Sequence, residues 1–266
     1  MILESPHDGK KISFPVLSHA LQAGYGISPM FADFLVLGSY ILLRRSVLKP
    51  LDLHEIDEHN RIEHNASVVH DDADGSKLAP AHVDPSLLHK FLNKAYSPPR
   101  SRSVEGNDAI TIEDIARTRI AREAACSVPP DAIHAEIARG EFAMVLNIFG
   151  EGPAKTLNAK DLEVWLNENR FPDHWTPTHQ EKLTDTIAEN KKIRELMEAY
   201  RGEEPHHLFS TIGKMLSDES NEGKRLFTTF GKTMEHLLEN FKNTASSHDD
   251  GASSEVQAEG QQMTKL

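Results

Sequence analysis

The stretch "NRIEHNASVVHDDADG", residues 60–75, holds a dense group of side chains that can do chemistry. If Glu63 and Ser67 lie on one helical turn, four residues apart, their oxygens can converge on one hard cation. His64 then projects to a different face and can serve as an acid/base. The same spacing also fits an ordinary polar segment, so this stretch alone leaves both interpretations open.

A second candidate is Glu141 in "HAEIARGEFAMVLNIF", where His134, Ile137, Met144 and Ile148 share about one helix face with it. A carboxylate on a largely apolar stripe is costly to bury unless it is paired or its pKa is raised. The alternative is that Glu141 lies at the edge of the stripe and reaches water. The sequence does not separate these two interpretations.

Two neighbouring patterns suggest metal sites, but neither has the required spacing. In "HEIDEH", residues 54–59, the histidines stand five apart, whereas HExxH places them four apart on one helix face. In "HDDADG", residues 70–75, an EF-hand with Gly in sixth place needs an acid where His70 stands and a Glu where Ala81 stands. We therefore predict a solvated polar segment and an acidic loop.

Composition limits the class of protein further. The net charge of −12 argues against a nucleic-acid or anionic-membrane surface. With Cys126 as the only cysteine, no disulfide or thiolate zinc cage forms within the chain, and we expect Cys126 to be a small buried thiol. The most apolar window, residues 30–43, is short for a membrane span, and residues 1–10 show no signal peptide. These features favour the cytoplasm.

The elements that must position these residues are mostly helices, because apolar residues recur at helical spacing and few segments alternate as strands do. N-terminal signals stand at Asp84, at the capping-box sequence from Thr111 to Asp114, and at Asp131. We predict an all-α fold, with one helical domain at 1–244 and a disordered tail at 245–266. Helices are expected at 14–25, 28–45, 85 onward, 111–127, 131–150, 158 onward with its end before Pro172, 180–200, 207–216 and 223–244.

Several segments, in this order, resemble the fungal heme-thiolate peroxidases, the family of chloroperoxidase and the unspecific peroxygenases. They are "HDGKKISFPVLSHALQAGYGIS", "LDLHEIDEHNRIEHNAS", "ITIEDIARTRIAREAACS", "GEFAMVLNIFG" and "LNENRFPDHW". The resemblance covers residues 8–197 and is closest in character to the peroxidases of dothistromin and sterigmatocystin biosynthesis. It implies a chloroperoxidase-like helical domain that acts in fungal secondary metabolism.

The resemblance also implies roles for the candidate residues. Glu63, the carbonyl of His64 and Ser67 would bind Mg²⁺ or Mn²⁺ beside a propionate of heme b. Glu141 and His64 would be the acid/base groups on the distal side of the heme. The implied reaction is peroxide-dependent oxidation, peroxygenation or halogenation of a small organic molecule, such as an aromatic polyketide.

This sequence departs from the family pattern in two places. The family's Asp in E-H-D-A-S is Asn65 here, which hydrogen-bonds but carries no charge. The family's axial cysteine lies in a P-C-P motif upstream of the Asp-Gly pair, and only seven residues precede Asp8 in this chain. We therefore expect the axial ligand to be missing, and by alignment Cys126 does not replace it. Three explanations stay open: the helical domain is N-terminally incomplete, the chain binds heme weakly through another ligand, or it is a degenerate paralogue with a non-peroxidase role.

Two other functions remain open at this point. The chain can be a non-catalytic helical protein that keeps the pocket and binds a small molecule without heme. It can also be a heme-free enzyme that uses a metal held by Glu63 and Ser67. Heme uptake separates the first from a peroxidase, and metal analysis with loss of activity in Glu63→Ala tests the second.

Overall fold

The computed structural model describes residues 8–98 and 109–202. Within them the chain is mostly helical, and the predicted all-α class is confirmed. One short 3₁₀ helix covers Leu53–Asp57, and an antiparallel pair of two-residue strands joins β1 (Ala109–Ile110) to β2 (Leu157–Asn158). The α-helices are α1 (Phe14–Tyr25), α2 (Pro29–Leu42), α3 (Pro85–Leu92), α4 (Ile112–Ala125), α5 (Ala132–Phe149), α6 (Ala159–Asn167) and α7 (Leu183–Arg201).

The predicted helix starts are confirmed by their caps. The side chain of Asp84 accepts a hydrogen bond from the Leu87 N–H at the start of α3. Thr111 and Asp114 form a capping box at the start of α4, and Asp131 accepts two backbone N–H groups at the start of α5. Each cap satisfies donors that the first helical turn leaves without partners. These local contacts therefore fix where three of the helices begin.

The predicted ends are less accurate. The prediction for α2 ran to residue 45, but the helix ends at Leu42, just before Arg44 takes a φ of 54°. The prediction for α6 ran to Pro172, but the helix ends at Asn167, ahead of Asn169 at φ 52°. The expected helices at 207–216 and 223–244 and the expected tail at 245–266 lie outside the described residues.

Helix α5 and helix α7 form the most extensive helix pair of the described residues. Helix α7 also packs against α4, while α1 packs against α2. In the described part of the chain, no helix is long and apolar enough to cross a membrane. The main core is built from buried side chains of α3 to α7 and of the two strands, among them Phe91, Ile110, Ile115, Ala143, Leu146, Leu157, Ile193 and Met197.

Glu181 joins the α1–α2 connection to α5 and α7. Its backbone accepts from the Ser28 N–H at 2.8 Å and donates to the Gly26 carbonyl at 2.9 Å. Its fully buried carboxylate accepts, through Oε1, from Asn147 Nδ2 at 2.7 Å and from Thr186 Oγ1 at 2.6 Å. This acid therefore positions α1 and α5 relative to each other.

We predict that Glu181→Ala lowers the free energy of unfolding by about 2–4 kcal/mol, because it leaves buried donors unsatisfied. Glu181→Gln keeps one acceptor oxygen and should lose less. The measurement is urea unfolding followed by circular dichroism. Glu195→Ala, on the exposed face of α7, serves as the matched control and should stay within about 0.5 kcal/mol. Equal stability of the two alanine variants would contradict the prediction.

Candidate active site

A cavity of about 460 Å³ lies between α1, α5, α6 and the loop segments around residues 56–70 and 79–81. Its walls are mostly apolar, and Tyr25, Phe149 and Trp165 form an aromatic end. All four predicted site residues line this cavity. The polar side chains on its wall are Asp57, Glu63, His64, Ser67, His70, Arg119 and Glu141.

His64 and Glu141 meet at the cavity wall, with 3.5 Å between Nε2 and Oε2. The His64 side chain is 5% exposed, whereas that of Glu141 is 49% exposed. Glu141 is therefore not sealed within an apolar stripe. Its carboxylate reaches the solvent-accessible side of the wall while it faces the histidine, so both sequence-based interpretations hold in part.

The hydrogen bonds of His64 determine where its protons lie. Its Nδ1 is 2.8 Å from the carbonyl oxygen of Asn65, which can only accept, so Nδ1 carries a hydrogen. Nε2 then faces Glu141, and two bare acceptors would repel each other. A protonated imidazole therefore points its Nε2–H toward the carboxylate of Glu141.

Opposing effects act on the pKa of His64. Burial disfavours the imidazolium and lowers the pKa of His64. The hydrogen bond and negative charge of Glu141, together with the Asn65 carbonyl, raise this pKa by more than burial lowers it. The net result is a pKa above the ordinary value of 6.5. His64 is thus held as a proton carrier beside a carboxylate, the arrangement that proton transfer requires.

The loop that carries His64 is irregular, so the assumption that Glu63 and Ser67 share a helical turn is wrong. Ala66 lies between them with φ at 62°. Glu63 Oε2 is 2.7 Å from His59 Nδ1. Ser67 Oγ accepts from the His70 N–H at 3.1 Å and lies 3.3 Å from His70 Nδ1. The side-chain oxygens of Glu63 and Ser67, both predicted to bind a cation, therefore each lie next to a histidine.

Two buried arginines of α4 hold this loop, and the sequence-based predictions missed both. Arg119 Nη1 donates to the Ala66 carbonyl at 2.6 Å, and Arg122 Nε donates to the Ser67 carbonyl at 2.6 Å. Their charges are balanced by Glu123, 2.9 Å from Arg119, and by Asp72, 3.1 Å from Arg122. The only sequence signal was two arginines three residues apart on a helix, which more often indicates an exposed face.

Asp72 corrects the prediction that the acidic stretch is only a solvated loop. Its Oδ1 accepts from the Ala66 N–H at 2.7 Å as well as from Arg122. In the described residues, no group of three or more His, Cys, Asp or Glu side chains is arranged to hold a metal ion.

Asn65 and Cys126 meet at one carbonyl. Asn65 Nδ2 donates to the Val128 carbonyl at 3.1 Å, and its Oδ1 accepts from the Ala73 N–H at 3.3 Å. The Cys126 thiol donates to the same Val128 carbonyl at 2.8 Å, and burial raises its pKa. Asn65 therefore supports the loop rather than tuning His64 through its side chain. Cys126 is the buried thiol expected, and it does not line the cavity.

The fold and the site therefore define a class: an all-α protein that has a His–Glu pair on the wall of an apolar cavity. The model of the family described as "Peroxidase, family 2" matches residues 5–180, which is more than half of the chain. The chain belongs to this family, and the membership supports a peroxidase-like function. Among curated proteins, the comparison finds no match to this chain.

We predict that Asn65→Asp destabilises the fold by about 1–3 kcal/mol, because it places a carboxylate oxygen against the Val128 carbonyl. Thermal and urea unfolding at neutral pH measure the effect. Asn60→Asp is the matched control, since Asn60 is exposed and both residue types tolerate its φ of 58°. If Asn65→Asp were as stable as wild type, the amide donor would be dispensable.

A second prediction concerns pH. Because the folded-state pKa of His64 is raised, the pair contributes stability that is fully present below the unfolded value of 6.5. That contribution is lost as pH rises through the folded-state pKa. We expect the stability gap between wild type and Glu141→Gln to be larger at about pH 5.5 than at about pH 8.5.

Histidine-ring NMR measures the same coupling directly. The pKa of His64 should fall in Glu141→Gln, which removes the negative charge. A gap in stability that widens toward alkaline pH, or an unchanged pKa of His64, would contradict the coupling.

Proposed function

We propose that the protein is a heme-dependent peroxidase or peroxygenase that uses peroxide to oxidise a small organic molecule in fungal secondary metabolism. The observation that carries this proposal is the His64–Glu141 contact on the wall of an apolar cavity. Family membership supports the peroxidase class. The substrate class of aromatic polyketides rests on the resemblance, and the aromatic end of the cavity is compatible with it.

The size and mostly apolar lining of the cavity are compatible with an apolar group such as heme. The cavity's volume lies within the range of about 300–1,000 Å³ that ligand pockets span, and its few polar side chains are concentrated around the His–Glu pair. Heme bound there would supply the redox chemistry that cleaves the peroxide O–O bond. We assign no axial iron ligand among the described residues, because Cys126 lies away from the cavity wall.

In this proposal the chain's own residues move the proton. Glu141, which lines the cavity, takes a proton from one oxygen of the peroxide and delivers it to the other oxygen, which leaves as the O–O bond breaks. His64 holds or shares the charge, since its Nε2 faces the carboxylate and its Nδ1–H is fixed on the Asn65 carbonyl.

The proposal extends to a divalent cation, Mg²⁺ or Mn²⁺. The candidate ligands are the Glu63 carboxylate, the His64 carbonyl and the Ser67 hydroxyl, all hard oxygen donors of the kind that these ions prefer. Glu63 and Ser67 both line the cavity. A cation held there would lie beside the acid/base pair and would compensate the charge of an anionic group on the bound heme.

A second candidate function is a small-molecule binding protein that works without heme. The position of Cys126 favours it, because the thiol is used in a hydrogen bond to Val128 rather than exposed to the cavity. Such a protein would need the apolar cavity but not the proton chemistry of Glu141.

Heme titration of the full chain separates the two candidates. A Soret band on addition of heme supports the peroxidase, and a carbon monoxide difference peak typical of thiolate would identify the ligand type. No heme uptake at micromolar concentration would favour the binding protein.

For the loaded protein we predict that Glu141→Gln lowers peroxide-driven turnover by about 10²-fold or more, with heme content retained. Oxidation of a chromogenic phenol under excess peroxide measures turnover. Glu163→Gln, an exposed acid on α6, is the matched control and should keep full activity. Wild-type turnover in Glu141→Gln would remove Glu141 from the mechanism.

A further inference from the structure

His59 belongs to "HEIDEH", which forms no metal site by itself, yet it makes a close contact with a predicted cation ligand. Its Nδ1 lies 2.7 Å from Glu63 Oε2. The two side chains are 15% and 20% exposed, so the contact is largely shielded from water. An imidazole N–H on a carboxylate oxygen at this distance is a strong, directional hydrogen bond.

Backbone contacts hold His59 in place independently of its side chain. Its N–H donates to the Lys77 carbonyl at 3.0 Å, and His59 and Glu63 form a parallel β-bridge. Asn60, with φ at 58°, makes the sharp turn that brings the two residues together. The imidazole is therefore presented to Glu63 by a fixed piece of backbone rather than by a mobile side chain alone.

The same backbone pairing builds the cavity wall. The Ala79 N–H donates to the Asp57 carbonyl at 3.0 Å, and Glu58 forms a bridge with Leu78. Asp57 and Ala79 both line the cavity. His59 is not itself a lining residue, but it lies between this pairing and Glu63, whose side chain it contacts and which lines the cavity.

We propose that His59 is a positioning residue that aims the Glu63 carboxylate at a divalent cation. The hydrogen bond engages Oε2 and leaves Oε1 for the ion. Metal-ligating side chains are commonly held by a hydrogen bond on the side away from the metal, which fixes their orientation. This inference rests on the proposed function for the existence of the cation site, and it adds a residue outside the implied ligand set.

A competing interpretation is that the His59 N–H occupies the position of the cation. In that case His59 and a metal ion would exclude each other at Glu63. The two interpretations predict opposite effects of removing the imidazole: positioning predicts weaker cation binding, and exclusion predicts tighter binding.

The test is Mn²⁺ binding by the full chain without heme or peroxide. The electron paramagnetic resonance signal of free aqueous Mn²⁺ falls as the protein binds the ion. We expect His59→Ala to weaken Mn²⁺ binding by about 10–100-fold, the usual effect of removing a partner behind a metal ligand. Glu63→Ala should abolish binding at this site.

Two further variants make the result specific. His59→Gln retains an N–H donor on its amide and should recover part of the lost affinity, which a purely structural role would not require. His54→Ala, an exposed histidine in the same segment, should bind Mn²⁺ as wild type does. Melting of the metal-free variants checks that each is folded.

Mn²⁺ affinity in His59→Ala equal to or greater than that of wild type would overturn the proposal. So would wild-type protein that takes up no Mn²⁺ at millimolar concentration. Because neither heme nor turnover enters the measurement, a failure of the peroxidase function leaves this result intact, and a failure here leaves the heme titration intact.

Discussion

The rest of the site depends on the two arginines that donate from α4 to the loop carbonyls of Ala66 and Ser67. This loop has no regular secondary structure, so its buried carbonyls have no helix or sheet partners and would be costly without another donor. Arg119 and Arg122 stand about one helical turn apart and supply a guanidinium to each. Burying these cations is itself unfavourable unless they are paired. Glu123 pairs with Arg119, and Asp72 of the loop pairs with Arg122.

This anchoring links the packing of the helices to the distance between His64 and Glu141. His64 lies on the loop and Glu141 lies on α5, so nothing local to either residue sets their separation. The loop is fixed to α4, α4 packs against α7, and α7 packs extensively against α5. Glu181 adds a buried hydrogen bond from the other side to α5 through Asn147. A shift in any of these contacts would change the geometry of the His64–Glu141 pair.

Sequence reasoning succeeded where the physical cause is local. The capping side chains at Thr111 and Asp131 lie within three residues of the donors they satisfy, so spacing alone located those helix starts. The resemblance implies that Glu141 and His64 lie on the same side of a heme, and both residues line the cavity. The conformation of the loop could not be predicted, because its positive φ falls on Ala66 and not on a glycine, the residue that usually marks such a position. Arg119, which donates to the carbonyl of Ala66, lies 53 residues further along the chain, so local spacing does not indicate the contact.

The His–Glu pair bears on which function the cavity performs. Binding an apolar molecule does not require an imidazole beside a carboxylate, and here burial of the imidazole is offset by the hydrogen bond and charge of Glu141. An apolar pair of similar volume would serve that binding at least as well. Along α5, Glu141 and Phe149 are eight residues, or roughly 12 Å, apart, so the proton-bearing end and the aromatic end of the cavity are distinct. A buried, charge-coupled pair at one defined end of the cavity is the kind of group that the proposed proton chemistry requires.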